Sequence, residues 1–312
     1  MRIAGSEDGS RRTMSSHKPS IALVSARAAR NLDEDQPPLE RALRDAGAEV
    51  RIAEWDDASV DWRAFDLAVL RSTWDYTLRV EEFRAWARHV ATCTRLINPE
   101  PVVSWNIDKH YFKELGEAGV PVIPSRFVDP GQDARRGVDA ILSITDSAEI
   151  VVKPAIGAGS RDAQIHRREN IEGMRAHIQR LIDADRSAML QPYRASVDER
   201  GETALLFYAG QFSHAIRKGP MLRSGAPPSD QVLFLRENIS PRVQTADELR
   251  IAQQALAAIP FGTPLYARVD LLMNDKGAPE LLELELTEPS MFFEHSQGAA
   301  ARFASLLIEQ AR

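Results

Sequence analysis

Between residues 20 and 98, short apolar runs alternate with amphipathic stretches, and that alternation restricts the fold more than any other feature of the chain. Residues 21–24 read as a buried strand, and 39–47 carry apolar residues at helical spacing with a glycine stop. Residues 49–53 and 65–70 read as two more strands, and 80–90 as a second amphipathic helix that leads into Arg95-Leu96-Ile97-Asn98-Pro99. Strand and helix in alternation predict an α/β unit, a parallel sheet with helices on its faces. Ligands of such sheets collect at the carboxyl ends of the strands. Asp33, Glu34 and the run Arg71-Ser72-Thr73-Trp74-Asp75-Tyr76 follow strands and are candidate substrate-facing residues. Arg71 and Asp75 do not belong in a core. Arg71 has the fork to hold a carboxylate through two hydrogen bonds, and Asp75 or Asp33 the charge to hold an ammonium. The competing reading has Trp74 and Tyr76 capping the core and Arg71 paired with Asp75 on a surface turn.

From residue 106 the texture changes. Asp108-Lys109 opens a predicted helix to 115, and 119–124 form a turn into an extended segment. A strand over 149–154 carries Lys153 near its end, followed by a small-residue loop over 155–161. A helix is expected over 170–184, a short strand over 189–193, and a hairpin of 203–208 with 212–218 about Ala209-Gly210. Residues 220–230 form a Pro/Gly/Ser-rich loop, and helices are expected over 247–259 and 298–310. The loop containing Gly157, Gly159 and Ser160 offers backbone N–H groups to phosphate oxygens. It has neither the Gly-Lys-Ser/Thr ending of a P-loop nor the spacing of the dinucleotide fingerprint. Lys153 closes an apolar run, where its ammonium can meet phosphate as a point charge. Lys109 and Lys218 are similar isolated lysines in a chain that prefers arginine.

Near the end stand Arg268-Val269-Asp270 and the strand-like run Leu281-Leu282-Glu283-Leu284-Glu285-Leu286. Glu283 and Glu285 are two apart, so on a strand they share a face, with Leu282, Leu284 and Leu286 on the other. Neighbouring carboxylates repel and raise each other's pKa. A divalent cation between them removes that penalty, and Asp270 could add a third oxygen from an adjacent strand. Mg²⁺ favours carboxylates together with substrate phosphates. Arg268 shares the face of Asp270, ready for a phosphoryl group.

A net charge of −6 argues against nucleic acid or anionic membrane as the main partner. The single Cys93 excludes an intrachain disulfide and a Cys-rich metal site, and fits a reducing cytoplasm. No apolar run reaches the length of a membrane span. Residues 1–19 lack the apolar stretch of a signal peptide and read as a disordered tail, or as an over-long start with Met14 as the initiator.

Taken in order, these segments resemble the ATP-grasp superfamily. The resemblance rests on Asp108-Lys109, Val151-Val152-Lys153-Pro154, the Gly/Ser loop, Leu190-Gln191-Pro192-Tyr193, Gly201-Glu202, Ala215-Ile216-Arg217-Lys218, Arg268-Val269-Asp270 and Glu283-Leu284-Glu285, over roughly residues 100–290. It implies a pre-grasp α/β domain over 20–104, a central lobe over 105–190 and a C-terminal lobe over 191–312, the two lobes clasping ATP. It implies that Lys109 and Lys153 meet the α- and β-phosphates and that Gln191-Pro192-Tyr193 form the hinge beside adenine. Asp198 or Glu199 would hold the ribose, and Lys218 a further phosphate. Asp270, Glu283 and Glu285 would ligate two Mg²⁺, and Arg268 would steady the transferred phosphoryl group. The chain has Glu285 where the family has asparagine, and it lacks the Pro-Gly loop of peptide ligases after it. The Arg71–Tyr76 run and the Glu-x-Glu-x-x-Glu-Pro-Ser ending, with Ser290 as a substrate-side residue, are similar to the small group that holds the cyclo-ligase of cycloserine biosynthesis. That group implies an intramolecular cyclo-ligase of the O-ureido-D-serine to D-cycloserine type. Alternatives are an intermolecular peptide or glutathione-type ligase and a catalytically inactive ATP-binding regulator. Family habit adds a homodimer.

Overall fold

A computed structural model describes residues 17–222 and 238–312. The tail expected over 1–19 and the loop expected over 220–230 therefore lie largely outside the described residues.

The alternating N-terminal segment forms β1 (Ser20–Ser25), α1 (Gln36–Asp45), β2 (Glu49–Glu54), β3 (Leu67–Ser72), α2 (Val80–Cys93) and β4 (Arg95–Ile97). The strands make a parallel sheet in the order β2-β1-β3-β4. A parallel sheet needs cover on both faces, and the period of two sorts the cover. Ile21, Leu23, Leu67 and Val69 face Leu39 and Leu43 of α1, together with Phe303 and Leu307 of the C-terminal helix. Ala22, Val24, Ala68 and Leu70 face Phe83, Ala87 and Val90 of α2. The last helix thus returns to complete the first sheet.

The chain continues through α3 (Glu100–Asn106), α4 (Tyr111–Glu117), β5 (Arg126–Val128), α5 (Ala134–Leu142), β6 (Glu149–Pro154), β7 (Gln164–Arg167), α6 (Ile171–Asp183) and β8 (Ala188–Pro192). Asp108-Lys109 stands ahead of α4 rather than inside it, because the Asp108 carboxylate accepts the His110 N–H and holds a turn. The second sheet is antiparallel, ordered β5-β8-β6-β7. Ile150, Val152, Ala188 and Leu190 pack on α5 and α6. Val151, Lys153 and Gln191 alternate to the opposite face, which lines a cleft.

The remaining elements are α7 (Ser196–Arg200), β9 (Glu202–Tyr208), β10 (Gln211–Lys218), β11 (Ile239–Arg242), α8 (Ala246–Ala257), β12 (Tyr266–Met273), β13 (Pro279–Glu285) and α9 (Ala299–Gln310). The hairpin between β9 and β10 turns on Ala209 (φ 47°) and Gly210 (φ 76°), the two left-handed residues that a tight hairpin turn of this hand requires. A Thr245–Glu248 capping box starts α8. The third sheet is antiparallel, β11-β10-β9-β12-β13. Leu205, Phe207, Val269, Leu271, Leu281 and Leu284 bury one face against α4 and α8. The other face is divided along its length. Leu206, Tyr208, Ile216 and Tyr266 join the core under α9, while Glu202, Lys218, Arg268, Glu283 and Glu285 face the cleft.

Residue 282 departs from strict alternation. The β12–β13 register pairs Asp270 with Glu283 but Leu271 with Leu281, so a bulge lies at Leu282. Leu281 takes the core position, and Leu282 turns to the cleft. Among the described residues no helix is long and apolar enough to cross a membrane.

Candidate active site

The second and third sheets face one another across a cavity of about 220 Å³. One part of its lining is apolar: Ile123, Val197, Leu272 and Leu282 cluster beside Tyr193. Gln191 and Pro192 adjoin it, and the Gln191 side-chain amide donates to Ser125 Oγ at 3.0 Å. The rest of the lining is densely charged.

Lys109 is fixed from three directions. Its Nζ lies 2.9 Å from Glu283 Oε1 and donates to the Gly157 carbonyl at 2.8 Å, and its N–H donates to Ala155 at 3.0 Å. Burial works against its charge, but Glu283, with Glu285 and Glu288 behind it, outweighs burial and raises its pKa. Lys153 goes the other way: burial, reinforced by Lys109 and Lys218, brings it down to about 8 despite Glu283. Two lysines of one cleft thus differ because one has a carboxylate in contact. The loop holding Gly157, Gly159 and Ser160 lines the same space. Gly159 has φ +61°, and a Cβ on Gly157 would meet Pro154 at 3.0 Å, so the loop is tied to small residues.

Across the third sheet, Lys218 Nζ stands 2.7 Å from Glu202 and 3.1 Å from Asp270, while Arg268 Nε donates to Asp270 at 2.8 Å. Arg268 also pairs with Glu285 through Nη2 and lies over the Phe292 ring. A Cβ on Gly201 would come within 2.5 Å of the Lys218 carbonyl, so the approach of α7 to β10 that seats Lys218 depends on that glycine. Burial opposes ionisation of Asp270, yet Arg268 and Lys218 hold its pKa far below the usual carboxylate range. Burial also opposes ionisation of Glu283, but Lys109 and Lys153 bring it down; burial with Asp270 and Glu283 nearby pushes Glu285 up to about 8. The two strand neighbours are split in the sense expected of crowded carboxylates.

Asp270, Glu283 and Glu285 share a sheet face, but they do not converge. No cluster of three carboxylate, histidine or cysteine ligands occurs among the described residues. Asp270 is wholly buried beneath Lys218 and Arg268, which lie close enough to neutralise it. Glu283 and Glu285 do reach the cleft.

The expected substrate residues divide. Trp74, Tyr76 and Ser290 line the cleft; Asp33, Arg71 and Asp75 do not. Arg71 is fully buried: Nη1 donates to the Pro289 carbonyl at 3.1 Å, and Nη2 lies 3.7 Å from Asp33 and 3.8 Å from Asp35. Asp33 accepts the Asp35 N–H, while the Asp75 carboxylate takes the Trp55 indole N–H at 2.9 Å and an Arg79 guanidinium at 2.5 Å. Arg71 and Asp75 are thus not a pair with each other, and neither lines the cleft. Asp198 and Glu199 also lie off the cleft; Asp198 is exposed and accepts from the Tyr193 hydroxyl at 2.7 Å.

Three lining residues have no role assigned from sequence. Asn106 braces β13 by accepting from Leu286 N and donating to Leu284 O, both at 2.7 Å. Glu202 partners Lys218. Glu288 lines the cleft with Tyr76, and its sequence signal is the third acid of Glu-x-Glu-x-x-Glu.

A curated relative, the cycloserine biosynthesis protein DcsG of Streptomyces lavendulae, is 40% identical over 296 residues, which are 93% of this chain and 98% of that protein. The chain belongs to the DcsG family. The family model for the N-terminal domain of D-cycloserine synthetase DcsG matches residues 21–98, the alternating segment through β4. The crystal structure of D-cycloserine synthetase DcsG superposes with a TM-score of 0.88 at 39% identity, covering 94% of this chain and all of that one. More distant matches share the fold: the ATP-grasp ligase PsnB (TM-score 0.61, 16% identity, 95% of this chain and 99% of that one) and D-alanine–D-alanine ligase from Bacillus anthracis (0.65, 14%, 94% and 97%). This DcsG-family chain has the ATP-grasp fold.

Proposed function

We propose that this DcsG-family chain is an ATP-dependent ligase that forms a C–N bond through an acyl phosphate, releasing ADP and phosphate. The reading extends to an intramolecular cyclo-ligase of the O-ureido-D-serine to D-cycloserine type. One observation carries it: Lys109, Lys153, Lys218 and Arg268 line a single cleft with Glu283 and Glu285, beside an apolar recess at Gln191-Pro192-Tyr193. A cleft with one apolar end and one cationic end suits a nucleoside triphosphate.

In this reading adenine enters the recess between Pro192-Tyr193 and Leu272-Leu282. Lys109 and Lys153 hold phosphates as point charges, and the backbone of Gly157, Gly159 and Ser160 closes over them. Lys218 and Arg268 meet the phosphoryl group in transfer, where positioning and charge neutralisation supply most of the catalysis. Closure of 155–161 keeps water from the acyl phosphate. The donors at Glu283 and Glu285 are carboxylate oxygens on one face, which fits magnesium. Magnesium, when bound, neutralises phosphate charge; Glu283 and Glu285 would hold it, with Asp270 joining them only if Lys218 and Arg268 release it. Two ions accord with the family resemblance.

ADP release measured with ATP, magnesium and a panel of amino acids tests the reading. Release stimulated by O-ureido-D-serine, with a cyclic product by mass spectrometry, is expected. Stimulation only when two amino acids are supplied together would favour an intermolecular ligase. No release with any of them would leave a nucleotide-binding regulator.

A further inference from the structure

The segment after β13 is held with unusual completeness. Trp74 Nε1 donates to the Glu288 carbonyl at 3.3 Å, Arg71 to Pro289 at 3.1 Å and Arg268 to Ser290 at 3.3 Å. The Asp35 carboxylate then accepts the N–H groups of Met291, Phe292 and Phe293 at 2.6, 3.0 and 2.8 Å. Six consecutive residues are thus pinned by side chains from β3 and its following turn, from the residue ahead of α1, and from β12. What this fixes in the cleft are two side chains, Glu288 and Ser290, of which Glu288 carries the charge.

Glu288 differs from its neighbours. Glu283 is paired with Lys109, Glu285 with Arg268, and Glu202 and Asp270 with Lys218. Among the described residues, Glu288 is the carboxylate of this cleft with no salt-bridge partner. Tyr76 lines the cleft with it and is the neighbour that most favours its ionised form, and the Tyr76 ring is itself stacked on Phe83 with ring centroids 4.8 Å apart. With no ion pair among the described residues, the Glu288 carboxylate keeps lone pairs for something in the cleft. Burial raises its pKa to about 7; Tyr76, Lys109 and Arg268 lower it and Glu283 raises it, and these are the groups that face it. A group in that range accepts a proton and gives it up again near neutrality.

Resting on the ligase reading above, we infer that Glu288 is the general base for the attacking nitrogen, and that Tyr76 is the residue that positions it. The substrate's N–H nitrogen attacks the acyl-phosphate carbon. The C–N bond forms as the bond from the carbonyl carbon to the phosphate oxygen breaks, phosphate leaves with the electron pair, and the nitrogen's proton passes to the Glu288 carboxylate; the ring nitrogen still carries the carbamoyl group of the ureido substituent, which water then removes as carbon dioxide and ammonia to give cycloserine. Phosphoryl transfer to the substrate carboxylate precedes this step and needs no base, because the nucleophile there is already an anion. The proposal therefore separates the two half-reactions: Glu288 serves the second and not the first.

The test compares the full chain with Glu288→Gln and Tyr76→Phe, using ATP, magnesium and O-ureido-D-serine with and without hydroxylamine. Hydroxylamine is a neutral nucleophile that intercepts acyl phosphate as a hydroxamate. For Glu288→Gln the cyclic product should fall by about 10²–10⁴-fold, the range for a lost general base, while hydroxamate and the KM for ATP stay near wild type. Tyr76→Phe should give a smaller loss of product, again with hydroxamate intact. Retained hydroxamate shows that either variant is folded and competent for the first step. Near-normal cyclisation by Glu288→Gln would overturn the proposal. So would loss of hydroxamate and product together with a raised substrate KM, which would make Glu288 a binding residue. Absence of hydroxamate from the wild-type chain would overturn the ligase reading itself, and the inference with it.

Discussion

Lys109 and Glu283 form an ion pair, Nζ to Oε1 2.9 Å, that joins the turn before α4 to β13 across the floor of the cleft. Their side chains are 8% and 27% exposed, so solvent screens the pair weakly. Glu283→Gln would leave Lys109 and Lys153 facing each other without their nearest anion. The free protein should lose about 2–3 kcal/mol, somewhat under the range for fully buried pairs. Phosphate oxygens would restore the missing negative charge, so ATP added without magnesium, which Glu283 would help to hold, should stabilise the variant more than it stabilises wild type. Thermal unfolding with and without ATP measures both effects. An equal shift in the two proteins would place the phosphates away from Lys109.

Lys153→Ala should lower ATP turnover by about two orders of magnitude without destabilising the fold. Burial already disfavours the charged amine, so the fold gains little from it. Its loss should cost about 3 kcal/mol of transition-state stabilisation. The pKa near 8 adds a proton signature. Above that pH the free lysine is neutral, and phosphate would draw a proton back on. Calorimetry in buffers of different ionisation enthalpy should show more proton uptake by wild type than by Lys153→Ala at pH 9, and no difference at pH 6.5. A mutant that turns over normally, or that is mainly unfolded, would contradict the assignment.

Acid should loosen the base of the small-residue loop before it loosens the rest of the second sheet. His177 lies between His166, Nε2 to Nδ1 3.0 Å, and the Asp162 carbonyl, 3.0 Å from its Nε2. A carbonyl only accepts, so Nε2 carries the proton, Nδ1 accepts from His166, and the ring is neutral. Burial, with Arg180 and His166, takes its pKa down to about 4. The unfolded histidine titrates near 6.5, so between those values the unfolded chain binds more protons. Stability is complete above about pH 6.5 and falls as pH drops toward 4, by up to about 3 kcal/mol. Urea midpoints at pH 7 and pH 4.5 should differ less for His177→Asn than for wild type. Equal differences would show that His177 does not carry the acid response.

Much of this architecture is legible from period and punctuation. The alternation over 20–98, the Ala209-Gly210 hairpin and the shared face of Arg268, Asp270, Glu283 and Glu285 all follow from residue spacing. The rest depends on contacts that spacing does not encode. The bulge at Leu282 moves one leucine from core to cleft with no change in composition. Helix α5 passes so close to β5 that a Cβ on Gly137 would fall 2.1 Å from Val128, and that glycine masks the helix in the sequence. Arg71 looks misplaced for a core because its partner, the Pro289 carbonyl, lies 218 residues away. Asp75 is claimed by Trp55 and Arg79, and neither assignment can be made without the fold.

That revision changes what Arg71→Lys should do. A residue gripping the substrate would, when changed, raise the substrate KM and leave stability alone. The guanidinium instead sits among Asp33, Asp35 and the Pro289 carbonyl, with no exposed surface. An ammonium can approach the carbonyl or the two acids, but it lacks the planar fork that spans both. The variant should lose about 1–3 kcal/mol of stability, the scale of buried polar groups left unsatisfied. It should also free Pro289, and with it Glu288, so kcat for the amino-acid substrate should fall while the KM for ATP holds. Chemical denaturation and steady-state kinetics on one preparation decide between the two roles. Wild-type stability combined with a raised substrate KM would return Arg71 to direct contact with the substrate.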